Sequence, residues 1–313
     1  MISFDTQAPV SPLEIPGATV VESPDHPLIA RVYALPVSAP GSRRPKLAFD
    51  YLSPSQSKSY KRCSAAYLFK YFYKLREPEN SAMFFGSAVH AGAEAYLATK
   101  RAMTIAGTPA SHDGLKQLAL DATALYVRTR MTDDMIFKQQ WKNGPTETAE
   151  SLLESTKIAT ASLADEVWIG IDALETERGF LIVWKDERVL PFLGYPDVIE
   201  ADAAGPIVRD LKTGTEKKPM DARLDVALSC YAQAYEIFSG VPTRRVGYHS
   251  YVRNKTPKIV LVESIREDGD LSRLFNICRT LTKALALGIY LPADDAMECG
   301  TCAFFQRCRS EFA

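Results

Sequence analysis

GYPDVIEADAAGPIVRDLKTG, residues 194–214, is the stretch whose reading decides the fold. It reads as two short strands joined by a turn. The first carries Asp197. The second carries Asp210 and Lys212 and runs into a glycine-bearing turn. Side chains alternate faces along a strand, so Asp210 and Lys212 point one way and Leu211 points into the core. Two carboxylates and an ammonium gathered at strand ends suit a divalent cation working on a phosphate. The acids bind Mg²⁺ or Mn²⁺, and the lysine positions water or steadies developing negative charge. An ordinary hairpin with solvated charges fits these residues equally well, because Asp-x-Lys triplets are common. The flanking sequence decides between the two.

Around the hairpin, strands are expected at 167–171, 180–185, 189–193, 197–201, 207–211, 245–251 and 258–262, with helices at 221–238 and 271–287. Upstream, Ser53 or Ser55 can cap a helix that starts near Pro54 and runs to about residue 73. A second helix, 83–100, is rich in Gly and Ala for close packing, and its His90 and Glu94 share a face. Helices at 113–130 and 147–165, joined by a polar loop near 142–145, make 101–165 a helical insertion. The expectation is an α/β, or α+β sandwich, fold: a central mixed sheet flanked by helices. Residues 1–47 contain eight prolines and no helical period, which predicts an extended or partly disordered arm with a short strand near 30–35. Residues 48–313 are then the folded domain.

The chain has 313 residues, is 46% hydrophobic and 24% charged, and carries a net charge of -1. It is not a polycation, so any nucleic-acid surface is local. Between residues 43 and 76, nine basic residues, Lys58, Lys61 and Arg62 among them, face one acid, Asp50. Aromatic rings interleave with them. Basic side chains hold phosphates and exposed rings stack on unpaired bases, so Lys58, Lys61 and Arg62 are candidate DNA contacts. No apolar run reaches membrane-spanning length and no signal pattern opens the chain, which points to a cytoplasmic protein without a membrane partner. There is no GxxxxGK[ST] phosphate loop, so any strand separation needs a partner such as a helicase.

Taken together, GSAVH (86–90), GYPD (194–197) and DLKTG (210–214) resemble the PD-(D/E)XK nuclease superfamily. The likeness is to its RecB-like exonuclease branch, which includes the CRISPR-associated iron–sulfur nucleases and the AddB nuclease domain. The resemblance implies a restriction-endonuclease-like core, with His90, Asp197, Asp210 and the backbone carbonyl of Leu211 on Mg²⁺ or Mn²⁺, and Lys212 assisting water. Asp197, Asp210 and Lys212 form the catalytic set. The family's Gln-x3-Tyr helix aligns with 227–231: Tyr231 matches and is a candidate DNA contact, whereas Ala227 stands where the glutamine would be. Glu175 and Glu177 lie ahead of Asp197 and stay outside the ligand set, since a surface turn explains them as well. His249 reads as a half-buried strand histidine.

Of six cysteines, Cys230 and Cys278 sit in apolar helical patterns and are expected in the core. Cys299, Cys302 and Cys308 form a CxxCxxxxxC segment within 295–313, and Cys63 lies far upstream. Four thiolates can hold a [4Fe–4S] cluster or Zn²⁺. The one-plus-three arrangement again resembles the iron–sulfur nucleases, which implies a cluster tying the basic helix to the C-terminal segment. The expected activity is that of a DNA exonuclease acting on single strands or strand ends in recombination, repair or CRISPR adaptation, with a partner protein from such a pathway. The alternative is a non-cleaving DNA-binding or scaffolding member of the same fold, a reading to which Ala227 lends weight.

Overall fold

Residues 198–214 form the expected strand pair, and the chain builds two sheets around it. The computed structural model describes residues 13–37, 44, 47–77, 81–130 and 149–313. Its first part holds β1 (Thr19–Glu22), β2 (Ile29–Ala34), α1 (Pro54–Arg62), α2 (Ser64–Tyr67), a π turn at Leu68–Phe72, α3 (Ser81–Ile105), α4 (His112–Arg130) and α5 (Ala149–Glu166). Then come β3 (Ala173–Thr176), β4 (Phe180–Trp184), β5 (Phe192–Gly194), β6 (Val198–Asp202) and β7 (Gly205–Gly214). The chain continues through α6 (Pro219–Leu224), α7 (Val226–Ser239), β8 (Arg245–Val252), β9 (Lys258–Ile265), α8 (Asp268–Ala286), α9 (Ala296–Gly300) and α10 (Phe305–Glu311).

The mixed sheet has the order β3-β6-β7-β8-β9. Only β7 and β8 run parallel. A parallel neighbour needs a long crossover, and α6 with α7 supplies it. The second sheet, β1-β2-β4-β5, is antiparallel throughout. Helix α7 touches strands of both sheets. It is buried on most of its faces, and Ala227, Cys230, Ala232 and Ala234 keep it slim enough to fit. Cys230 and Cys278 both lie in this core, as expected. On the other face of the mixed sheet, α3, α4 and α5 pack over Val198, Leu211 and Tyr251. Among the described residues, no helix is long and apolar enough to cross a membrane.

Several expectations change in detail. Residues 13–37 are extended but not free: β2 pairs with β4, and Ile29, Val32 and Tyr33 are buried. Leu35 is buried too, and this apolar content gives the segment enough surface to dock despite its prolines. The remainder of the expected arm, apart from Arg44 and Leu47, and the loop near 142–145 lie outside the described residues. Residues 167–171 are not a strand; a 3-10 turn occupies Trp168–Gly170. The Lys100 ammonium donates to the carbonyls of Trp168, Ile169 and Ile171, which holds the segment curled. The expected helix at 221–238 breaks at Asp225, whose side chain caps α7 through the Ala227 N–H. The expected helix to residue 73 breaks at Cys63, which is extended and whose sulfur accepts from the Ala66 N–H.

Candidate active site

Helix α3 crosses the end of β7 at very short range. A Cβ on Gly86 would lie 2.9 Å from Thr213 Oγ1, so a residue without one is needed there. One turn on, His90 projects toward the start of β6, where its Nδ1 lies 3.3 Å from Asp197 Oδ1. The other Asp197 oxygen, Oδ2, accepts the backbone N–H of Leu211. The β6–β7 pair therefore fixes the aspartate from one side and α3 fixes the histidine from the other.

The third member of the cluster is Glu177, in the turn between β3 and β4. His90, Glu177 and Asp197 each offer a ligand atom within 4.8 Å of the others. The Glu177 backbone has φ +49°, a left-handed conformation uncommon for a residue with a side chain. Its N–H donates to the Asp197 carbonyl at 3.3 Å. This turn geometry separates Glu177 from its near neighbour Glu175. The Glu175 carboxylate is buried between Arg101, at 3.2 Å, and Arg178, at 2.9 Å, in a structural ion pair. Sequence reasoning left Glu177 aside; Thr-Glu-Arg-Gly signals a turn, but nothing local shows that the turn ends beside His90.

Asp210 and Lys212 share a face of β7, as strand alternation requires, and form a close ion pair. Leu211 between them is buried against α3. The Asp210 carboxylate thus sits on Lys212 rather than within the His90–Glu177–Asp197 group. Lys212 also lies over the Tyr248 ring, 5.6 Å from its centroid.

The electrostatics follow from crowding acids in a partly dry site. Burial opposes charging His90, but the Asp197 carboxylate beside it outweighs burial and raises the imidazole to about 9. Burial pushes Asp197 up, and His90 with Lys212 overcomes it and holds the carboxyl below its ordinary range. Burial and then Asp197 raise Asp210 to about 6. Glu177 is raised by burial and Asp197 to about 8, against the opposing pull of Arg44. Burial disfavours charge on Lys212, but Asp210 and Asp197 keep its ammonium firmly protonated. An imidazole and two carboxylates at this spacing match the donor set of Mg²⁺ or Mn²⁺.

Tyr231 departs from its expected place. It is 5% exposed, and its ring lies against Gly194, where an added Cβ would come within 2.2 Å of Cε1. It packs in the core between α7 and the end of β5. Lys58, Lys61 and Arg62 are exposed on α1, and Arg62 pairs with Glu298 at 3.4 Å. Rings around them pack on one another: Tyr60 edge-on to Tyr67 and tilted against Tyr290, and Tyr67 tilted against Tyr71. His249 is buried beside Glu200, as a strand histidine should be.

The four spaced cysteines come to one place. Cys63, Cys302 and Cys308 pack around Phe69 and Phe304, and Cys63, Cys299 and Cys302 line a common cavity of about 170 Å³. The Ala293 N–H donates to Cys63 Sγ, and Cys299 Sγ donates to the Ala293 carbonyl, each at 3.4 Å. Burial, followed by the neighbouring thiols, raises the Cys308 thiol; burial and the same neighbours raise Cys302, against a backbone hydrogen bond at Phe304.

A family model described as the PD-(D/E)XK nuclease superfamily matches residues 51–309. No curated protein matches the chain. Among solved structures, a crystal structure from Eubacterium rectale named "Putative exonuclease" is similar at 11% identity and a TM-score of 0.46, covering 82% of this chain and 87% of that one.

Proposed function

Because the chain belongs to the PD-(D/E)XK nuclease superfamily, we propose that it is a DNA exonuclease whose divalent ion is held by His90, Glu177 and Asp197. The observation that carries this reading is the meeting of those three ligand atoms within 4.8 Å, beside the Asp210–Lys212 pair. The Leu211 carbonyl and Asp210 complete the proposed ligand shell. When bound, Mg²⁺ or Mn²⁺ would polarise the phosphate and acidify a water. The residues supply the rest. Lys212 stays charged and steadies negative charge on the phosphate oxygens. Asp210, paired with Lys212 on one face of β7, offers its carboxylate to the ion. The proposed substrate is single-stranded DNA or a strand end, reached along the basic face of α1, with unwinding left to a partner. The proposed nuclease unit takes in residues 13–37 as well, since β2 completes the sheet against α7.

We further propose that Cys63, Cys299, Cys302 and Cys308 hold a [4Fe–4S] cluster rather than Zn²⁺. A tetrahedral zinc with bonds of about 2.3 Å draws its sulfurs to roughly 3.8 Å from one another. Among the described residues, the group gathered within 4.8 Å is the His90 one, not a cysteine one. The four thiols border one aromatic-lined region, which supports a group large enough to take all of them.

End-labelled single- and double-stranded DNA, incubated with anaerobically purified protein and Mg²⁺ or Mn²⁺, tests the activity. Lys212→Ala should lower hydrolysis by about 100-fold or more while the melting profile is kept. Hydrolysis undiminished in that variant overturns the assignment.

A further inference from the structure

Arg44 lies 133 residues before Glu177 in sequence, yet its Nη2 donates to Glu177 Oε2 at 2.6 Å. Its guanidinium also stacks over Tyr195, with Cζ 4.2 Å from the ring centroid. The arginine side chain is 55% exposed and the glutamate 16%. A cation therefore stands at the open side of the ion site, on one of the carboxylates that an ion needs. After Glu177, Asp197 is the next acid that favours its charge.

We propose that Arg44 is a phosphate-binding residue, stored on Glu177 in the ion-free protein and turned to the substrate once an ion takes that carboxylate. The proposal rests on the ion-site reading given above. A divalent ion and a guanidinium compete for the same carboxylate. When the ion wins, the guanidinium loses its counter-charge but not its aromatic platform. The Tyr195 face keeps it beside the site through the cation–π contact. The free, planar fork then matches two oxygens of a phosphodiester.

The test uses the full chain carrying Lys212→Ala, so that DNA is not consumed, with and without Arg44→Gln. Calorimetry reads Mn²⁺ binding, and anisotropy of a fluorescein-labelled single-stranded oligonucleotide reads DNA binding. Arg44→Gln should bind Mn²⁺ about tenfold more tightly, because its competitor is gone. With Mn²⁺ present it should bind the oligonucleotide about tenfold more weakly, and without Mn²⁺ it should bind it equally well. Arg44→Lys, which keeps the charge and loses the fork, should keep the parent's Mn²⁺ affinity and fall between the two in DNA affinity. Unchanged Mn²⁺ affinity in Arg44→Gln, or a DNA loss of the same size with and without the ion, overturns the proposal. If the Arg44-containing parent itself takes up no Mn²⁺, the ion site fails and the storage role fails with it. Normal Mn²⁺ uptake by the parent with no effect of Arg44→Gln removes Arg44 alone.

Discussion

Two glutamates two positions apart carry opposite burdens in this protein. Glu175 is enclosed by Arg101 and Arg178, so Glu175→Gln leaves two guanidinium groups without their counter-charge. That substitution should cost about 3 kcal/mol in urea unfolding, with Mn²⁺ uptake retained. Glu177 occupies a left-handed backbone position that asparagine also accepts. Glu177→Asn should therefore keep unfolding stability within about 0.5 kcal/mol, while calorimetry shows Mn²⁺ binding lost. His90 gives a pH signature in the ion-free protein. Its folded value, about 9, lies above the ordinary 6.5, so its pairing with Asp197 contributes fully below 6.5 and is lost as pH rises through 9. About a third of the side chain remains exposed, which moderates the size. In EDTA the melting temperature should fall across that window, and His90→Gln should flatten this part of the slope.

At the level of elements, α7 and the end of β5 are fitted to one another through Gly194 and Tyr231. Gly194→Ala drives a methyl into the ring and should cost about 2 kcal/mol. Tyr231→Ala opens a cavity and should cost about 3 kcal/mol, and the double substitution should cost less than the sum, because the smaller side chain makes room for the methyl. Denaturant midpoints of the three variants check this. The β6–β7 hairpin was legible in the sequence because strand alternation alone places Asp210 with Lys212 and buries Leu211. The helix of His90 was legible from its small residues and spacing. The breaks at Cys63 and Asp225 were not, because the residues on either side of each keep a helical pattern and the interruption comes from a distant or capping partner. Trp168 and Ile169 have strand-forming side chains, yet Lys100 on α3 captures their carbonyls, a contact across the fold that no local pattern displays. Glu177 stayed hidden for the same reason: its role depends on where a turn points.

At the scale of the whole molecule, the four spaced cysteines come together from segments far apart in sequence. Cys63 lies at the break between α1 and α2, Cys299 in α9, Cys302 between α9 and α10, and Cys308 in α10. Protein purified without oxygen should be brown and contain about four irons per chain under the proposed cluster, and colourless under zinc. Cys63→Ser should lose the iron and make residues 295–313 open to limited proteolysis, while β6, β7 and the His90 group keep their structure. The same segment carries Glu298, which pairs with Arg62 of α1.

The pairing of β2 with β4 has a consequence for how the chain comes to be made. Val32 meets Ile182 across 150 residues of intervening sequence, the difference of the two numbers. On the ribosome the early strand emerges long before its partner exists. Until then it offers unpaired backbone and apolar side chains to whatever is near, and α7 cannot be enclosed. Contacts so distant in sequence make the closing step slow. While it waits, its open edge is exposed to chaperones and neighbouring nascent chains.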